Sequence, residues 1–169
     1  LLKAGDNADT TVTVDAYNGQ KYLQVLPAYE YYKYNTSAKA FERKFTKTVP
    51  TPIESNNDDL ILEGGWYIVS GEATVKSVTF KEDAHIIIAN DAFFTATYGI
   101  SAVNGANLTF YAQTEDYDSM GKVVAAAYSG NAGIGSKNQG ECGNITISDG
   151  TVTATGGSDR DMQDALGLK

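Results

Sequence analysis

The sequence has one cysteine (Cys142), one histidine (His85), one tryptophan (Trp66) and three prolines in 169 residues. A lone cysteine excludes an intramolecular disulfide and leaves no thiolate set for a metal. A lone histidine removes the common zinc sites and the Ser-His-Asp arrangement, which both depend on imidazole. Long apolar runs are missing too: "HIIIA" (85–89) is strand-sized, far short of the roughly 20 residues of a membrane helix, so no membrane insertion is expected. Lys and Arg number 13 against 21 Asp and Glu, a net charge of -8. Phosphate binding calls for clustered cations, so nucleic acid is not an expected partner. The one basic stretch, from Lys33 to Lys47, reads as a solvated strand face. The chain opens on Leu1 rather than Met, as expected of a processed product that has lost any targeting signal.

What is present is alternation. "TVTV" (11–14), "SVTF" (77–80), "NLTFY" (107–111), "NITIS" (144–148) and "TVTAT" (151–155) place Val, Ile and Phe on one face and Thr, Ser and Asn on the other. This is the pattern of half-buried strands, and the branched threonines favour extended backbone while their hydroxyls stay wet. The chain reads as all-β. A break falls in "VPTPIESNNDDLILEGG" (49–65), which carries two of the prolines and a run of turn-formers. Upstream, "YYKY" and "KAFERKF" flank "NTSA" and predict a hairpin with an aromatic face. The expected division is an N-terminal β segment over 1–62 and a repetitive unit over 63–169.

The repeat sets the fold expectation. Aligning "AHIIIANDA" (84–92) with "ANLTFYAQT" (106–114) places Ile86 on Leu108 and Ile88 on Phe110, an offset of 22 residues. Aligning "NLTFYA" with "NITISD" places Leu108 on Ile145 and Phe110 on Ile147, an offset of 37. The surplus has two places to go, "TEDYDSMG" (114–121) and the glycine loop 130–143. Coils of about 22 residues with insertions at corners predict a parallel β-helix. The seven glycines of "NAGIGSKNQGECGNITISDGTVTATGG" (131–157) then serve as tight corners. They are no phosphate cradle, because neither Lys-Ser/Thr nor an amphipathic helix follows.

The same 27 residues resemble a repeat of large bacterial surface proteins, common in gut anaerobes, of the form AGIGG…GGTITINGGTVTATGG. "GWYIVSGEATVKSVTFKEDAHIIIANDAFFTATYGISAVNGANLTFYAQTE" (65–115) is similar to the segment that precedes it in those proteins. The resemblance covers about residues 64–157; "SDG" (148–150) and "SKNQGEC" (136–142) depart from its usual glycines. It implies a right-handed β-helix, an extracellular or bacterial cell-surface setting, and glycan binding or adhesion without catalytic residues. "DALGL" (164–168) weakly echoes "NAGIG", so the coil is expected to be cut short at its C-terminus, with end-to-end self-association as a consequence.

Candidate chemistry gathers at "TEDYDSMG". Glu115, Asp116 and Asp118 read first as an acidic solvated corner; calcium is the sharper reading, with carbonyls completing an oxygen shell. No other cofactor is expected. Tyr111, Tyr117 and Tyr128, on or beside the insertion, supply flat faces for a sugar, with Tyr111 pointing outward because Phe110 points in. Lys122 follows the acidic corner and is where a polysaccharide lyase would hold its base. Trp66 is expected to cap an end of the coil stack, and His85 to face outward without a role. The preferred expectation is a non-catalytic glycan-binding or adhesive module, ahead of a purely structural stalk and of a polysaccharide-degrading enzyme.

Overall fold

The computed structural model describes residues 12–17, 20–25, 29–128, 130–136 and 141–157. Regular structure among them is entirely strand. Two antiparallel hairpins come first: β1 (Val12–Tyr17) with β2 (Gln20–Val25), and β3 (Tyr29–Asn35) with β4 (Ala40–Thr46). The second turns at the expected "NTSA". Asn35 Oδ1 accepts the amides of Ser37 at 2.9 Å and Ala38 at 3.0 Å, so a side chain replaces the missing ladder partner.

From Thr51 onward every strand pairing is parallel, and the chain winds. The first winding is β5 (Thr51–Pro52) and β6 (Asn56–Leu62); the second is β7 (Gly65–Val69) and β8 (Glu72–Phe80). The third is β9 (Ala84–Ile88), β10 (Phe93–Ala96) and β11 (Ile100–Ala102). The fourth is β12 (Leu108–Ala112), β13 (Lys122–Ala126) and β14 (Ile134–Gly135), and the fifth is β15 (Ile145–Ile147) and β16 (Thr151–Thr155). One face stacks β5, β7, β9, β12 and β15. A second stacks the start of β8 with β10, β13 and β16, and a third stacks β6, the end of β8, β11 and β14. β8 bends at Lys76 and Ser77 and serves both of these faces. The winding therefore begins inside the segment that was expected to precede it.

Alternation fills the interior. Tyr67, Ile86, Phe110 and Ile147 form one inward column, Ala73, Phe94, Val123 and Val152 another, and Leu60, Val78, Ile100 and Ile134 a third. Phe94 is fully buried between two smaller residues, so bulk in one layer fits the space left by its neighbours. Phe80, Phe94 and Phe110 are all at 0% exposure, each stabilising by about 1.5–3 kcal/mol on burial.

The register corrects one expectation. Ile86 pairs with Phe110 and Ala84 with Leu108, so the offset is 24 residues rather than 22. The inward column is therefore Ala84, Leu108 and Ile145, with Ile86 in the neighbouring one. The windings are also unequal. Spacing is 19 residues from Gly65 to Ala84, 24 from Ala84 to Leu108 and 37 from Leu108 to Ile145. In the fourth winding the offset grows from 24 to 29 at Phe93 and Lys122, to 34 at Ile100 and Ile134, then to 37. The additions fall in 113–121 and on both sides of β14, the regions picked out from the sequence.

What pins this register is a ladder of short polar side chains, one before each of β9, β12 and β15. Asp83 Oδ1 accepts the amide of Asn107 at 2.8 Å, and Asn107 Oδ1 accepts the amide of Asn144 at 2.8 Å. The Asn107 backbone amide first, and then its side-chain Nδ2, hold the Asp83 carboxyl below its usual range. At the far end Ile145 and Ile147 keep the inward register but are 40% and 52% exposed. Among the described residues no strand lies beyond them.

Candidate functional site

The ridge between the second and third faces collects a different kind of residue from each winding. Asp59 comes from β6, Lys76 and Ser77 from the bend of β8, Tyr98 from the three-residue corner after β10, and Tyr128 and Asn131 from the longer corner after β13. These six line an open depression of about 280 Å³. The corners lie one above another in successive layers, so their side chains stand about 4.8 Å apart along the stack.

The polar end is a closed network. Lys76 Nζ lies 2.7 Å from Asp59 Oδ2, and Ser77 Oγ donates to Asp59 Oδ1 at 2.6 Å. The hydrogen bond from Lys76 to Asp59, and then the carboxylate's charge, hold the ammonium above its usual pKa. Lys76 Nζ also stands 5.7 Å from the centre of the Tyr98 ring. Tyr98 and Tyr128 follow, their rings 5.6 Å apart and tilted by 55°. Both are open to solvent, at 41% and 57% exposure. Asn131 Nδ2 donates to the Tyr128 carbonyl at 2.9 Å and so fixes the corner that carries the ring. Backbone closes the other side, with the Tyr98 amide bonded to the Lys76 carbonyl at 2.6 Å. The result is an aromatic shelf with a carboxylate, an ammonium and an amide beside it.

The expected ligand residues do not meet. Tyr128 stands on this ridge. Tyr117 is 73% exposed on the 113–121 insert, and Lys122 is exposed at the start of β13. Tyr111 does point away from Phe110, yet it is only 4% exposed because the β3–β4 hairpin lies over it. Tyr31 of that hairpin sits 4.6 Å from the Tyr111 ring and 5.0 Å from Trp66, and Gln113 Nε2 donates to the Glu30 carbonyl at 3.1 Å. Trp66 is no end cap: it stacks on His85 of the next layer at 4.6 Å and 24°. His85 Nδ1 lies 3.1 Å from the Tyr111 hydroxyl, and burial pushes the His85 pKa down. The hairpin thus completes a second, aromatic core outside the coil and takes Tyr111 out of reach of a ligand.

At the acidic corner, Asp116 is occupied with its own turn. Its amide bonds Thr114 Oγ1 at 3.0 Å, its Oδ1 accepts the Asp118 amide at 3.2 Å, and its Oδ2 accepts from Ser119 Oγ at 3.0 Å. Among the described residues, no three His, Cys, Asp or Glu side chains converge as a metal site of that kind requires. Tyr98, Lys76 and Asp59 were missed in the sequence. The available signal was their position at successive corners, legible only once the register is known.

A family model described as a beta helix repeat matches residues 145–164, that is, the fifth winding and the residues after it. No curated protein and no solved structure gives a significant match. The fold is all-β with parallel sheets and carries a β-helix repeat.

Proposed function

We propose that the chain is a non-catalytic module of a bacterial surface or secreted protein, wound as a right-handed β-helix, and that its second-to-third-face ridge binds a glycan. The handedness follows the strong preference of connections between parallel strands of one sheet. The observation that carries the functional reading is the exposed Tyr98–Tyr128 pair beside the Asp59–Lys76 network. Tyrosine faces bury the apolar side of a pyranose, and the flanking carboxylate, ammonium and amide offer hydrogen bonds to its hydroxyls. A glycan lying along the stack would meet one winding for each sugar, since the layer spacing of about 4.8 Å is close to the length of one residue in an extended chain. The net charge of -8 and the neutralisation of Lys76 by Asp59 favour a neutral glycan over a sulfated or uronic one. The test is a glycan array, followed by calorimetry on the best neutral ligand with Tyr98→Ala and Tyr128→Ala. Each substitution is expected to weaken binding about tenfold or more. An array without any neutral glycan bound, or affinities unchanged in both variants, refutes the reading and leaves a structural stalk.

A further inference from the structure

A carboxylate that the sequence did not single out lies under the 113–121 insert. Asp149 belongs to the corner between β15 and β16, and two backbone bonds place that corner. The Ser148 amide donates to the Phe110 carbonyl at 2.9 Å, and the Thr151 amide to the Gly121 carbonyl at 3.2 Å. Residues 148–151 therefore span the mouth of the insert, from the strand that enters it to the residue that leaves it. Asp149 is 8% exposed. Its Oδ1 accepts the Gly150 amide at 2.9 Å, while its Oδ2, also buried, has no hydrogen-bond partner. An oxygen in that position is costly if charged and unaccompanied.

The insert above carries Glu115, Asp116 and Asp118. Asp116 is bound into its own turn, whereas Glu115 is exposed and its charge reaches Asp149. Burial first, and then repulsion from Glu115, push the Asp149 pKa up. A buried, unpartnered carboxylate oxygen with a second carboxylate across the corner is relieved by a shared cation.

We propose that Asp149 and Glu115 hold a divalent cation, calcium by preference, that ties the fifth winding to the insert of the fourth. Hard oxygen donors suit calcium, and backbone carbonyls of the insert and water are available for the rest of its shell of six to eight. Magnesium, smaller and reluctant to lose water, fits such an irregular donor set less well. The site lies away from the tyrosine ridge and does not depend on what the ridge binds.

The experiment uses the whole chain, freed of metal with a chelator, then titrated with calcium chloride or magnesium chloride alone. Calorimetry and the thermal midpoint are read for wild type, Asp149→Asn, Glu115→Gln and Asp118→Asn. The proposal expects a calcium-dependent rise in the wild-type midpoint, larger than the rise with magnesium. Calcium affinity should fall at least about tenfold in Asp149→Asn and Glu115→Gln, and change little in Asp118→Asn. Glu115→Gln changes an exposed side chain and keeps the test decisive if Asp149→Asn folds poorly. A wild-type midpoint indifferent to calcium overturns the proposal. A calcium response that survives both Asp149→Asn and Glu115→Gln also overturns it.

Discussion

Replacing Gly133 by alanine tests how closely the windings lie. A Cβ at this position would stand 2.6 Å from the Thr155 nitrogen, and 2.7 Å from both the Thr155 and the Ala125 carbonyl oxygens. These distances fall roughly 0.8 Å or more inside the optimal separation of heavy atoms. All three neighbours are backbone. They belong to the fourth and fifth windings, which are joined by the β13–β16 ladder and by the bond from the Ala127 amide to the Thr155 carbonyl at 2.8 Å. The Gly133 carbonyl in turn accepts the Ile100 amide of the third winding at 2.9 Å, so the corner cannot retreat without loss. Overpacking of this kind costs about 2–3 kcal/mol. Gly130 is the control: it has φ of +67° and no atom within 4 Å of where a methyl would stand, so alanine there meets only the left-handed penalty of about 1–2 kcal/mol. Urea unfolding followed by circular dichroism separates the two. At a slope of about 2 kcal/mol/M, Gly133→Ala should lower the midpoint by about 1–1.5 M, and Gly130→Ala by about half as much. Equal shifts, or a smaller shift at Gly133, would refute the claim that layer spacing rather than backbone conformation demands that glycine.

Two further predictions concern the aromatic layer under the hairpin. Burial holds the His85 pKa below its unfolded value of about 6.5, so the unfolded chain binds the proton first as pH falls. This contribution is fully present above about pH 6.5 and is lost as pH drops toward the folded pKa. The thermal midpoint should therefore decline from pH 7 to pH 5, and His85→Phe should flatten that decline; an unchanged slope would contradict it. Tyr31→Ala removes the hairpin's ring from both Trp66 and Tyr111, so the emission of the single tryptophan should shift to longer wavelength while the far-ultraviolet β signal persists. Emission identical to wild type would show that Tyr31 does not cover Trp66.

Much of the fold was legible because alternation has a period of two. "NLTFY", "NITIS" and "TVTAT" appear as β12, β15 and β16, with the expected residues inward at Leu108, Phe110 and Val152. The same periodicity hid the register of β9 on β12, since a slip of two residues leaves every side chain on its original face. Asp83, Asn107 and Asn144 carried the missing information as residues that each precede a strand, but a polar residue before a strand looks like any turn residue until its partner is known. The first winding was obscured for another reason. β6 contains Asn56, Asn57, Asp58 and Asp59, which read as a linker, and its pairing with β8 shifts register between Asn56 and Asp59. The site was less legible than the fold. Tyr111 was placed on the outer face correctly, but nothing in its local pattern reveals that Tyr31, 80 positions earlier, lies against it.

By itself the sequence determined an all-β chain, the inward and outward faces of its strands, the hairpin at "NTSA" and the corners that take insertions. Each of these depends on neighbours along the chain, where steric preference and alternation act directly. Tertiary structure alone decided which residue stacks on which, which tyrosines stay open to solvent, and that Asp149 lies beneath the insert bearing Glu115. Those outcomes depend on the lengths of successive corners, which bring distant segments to the same height, and no local pattern encodes that height.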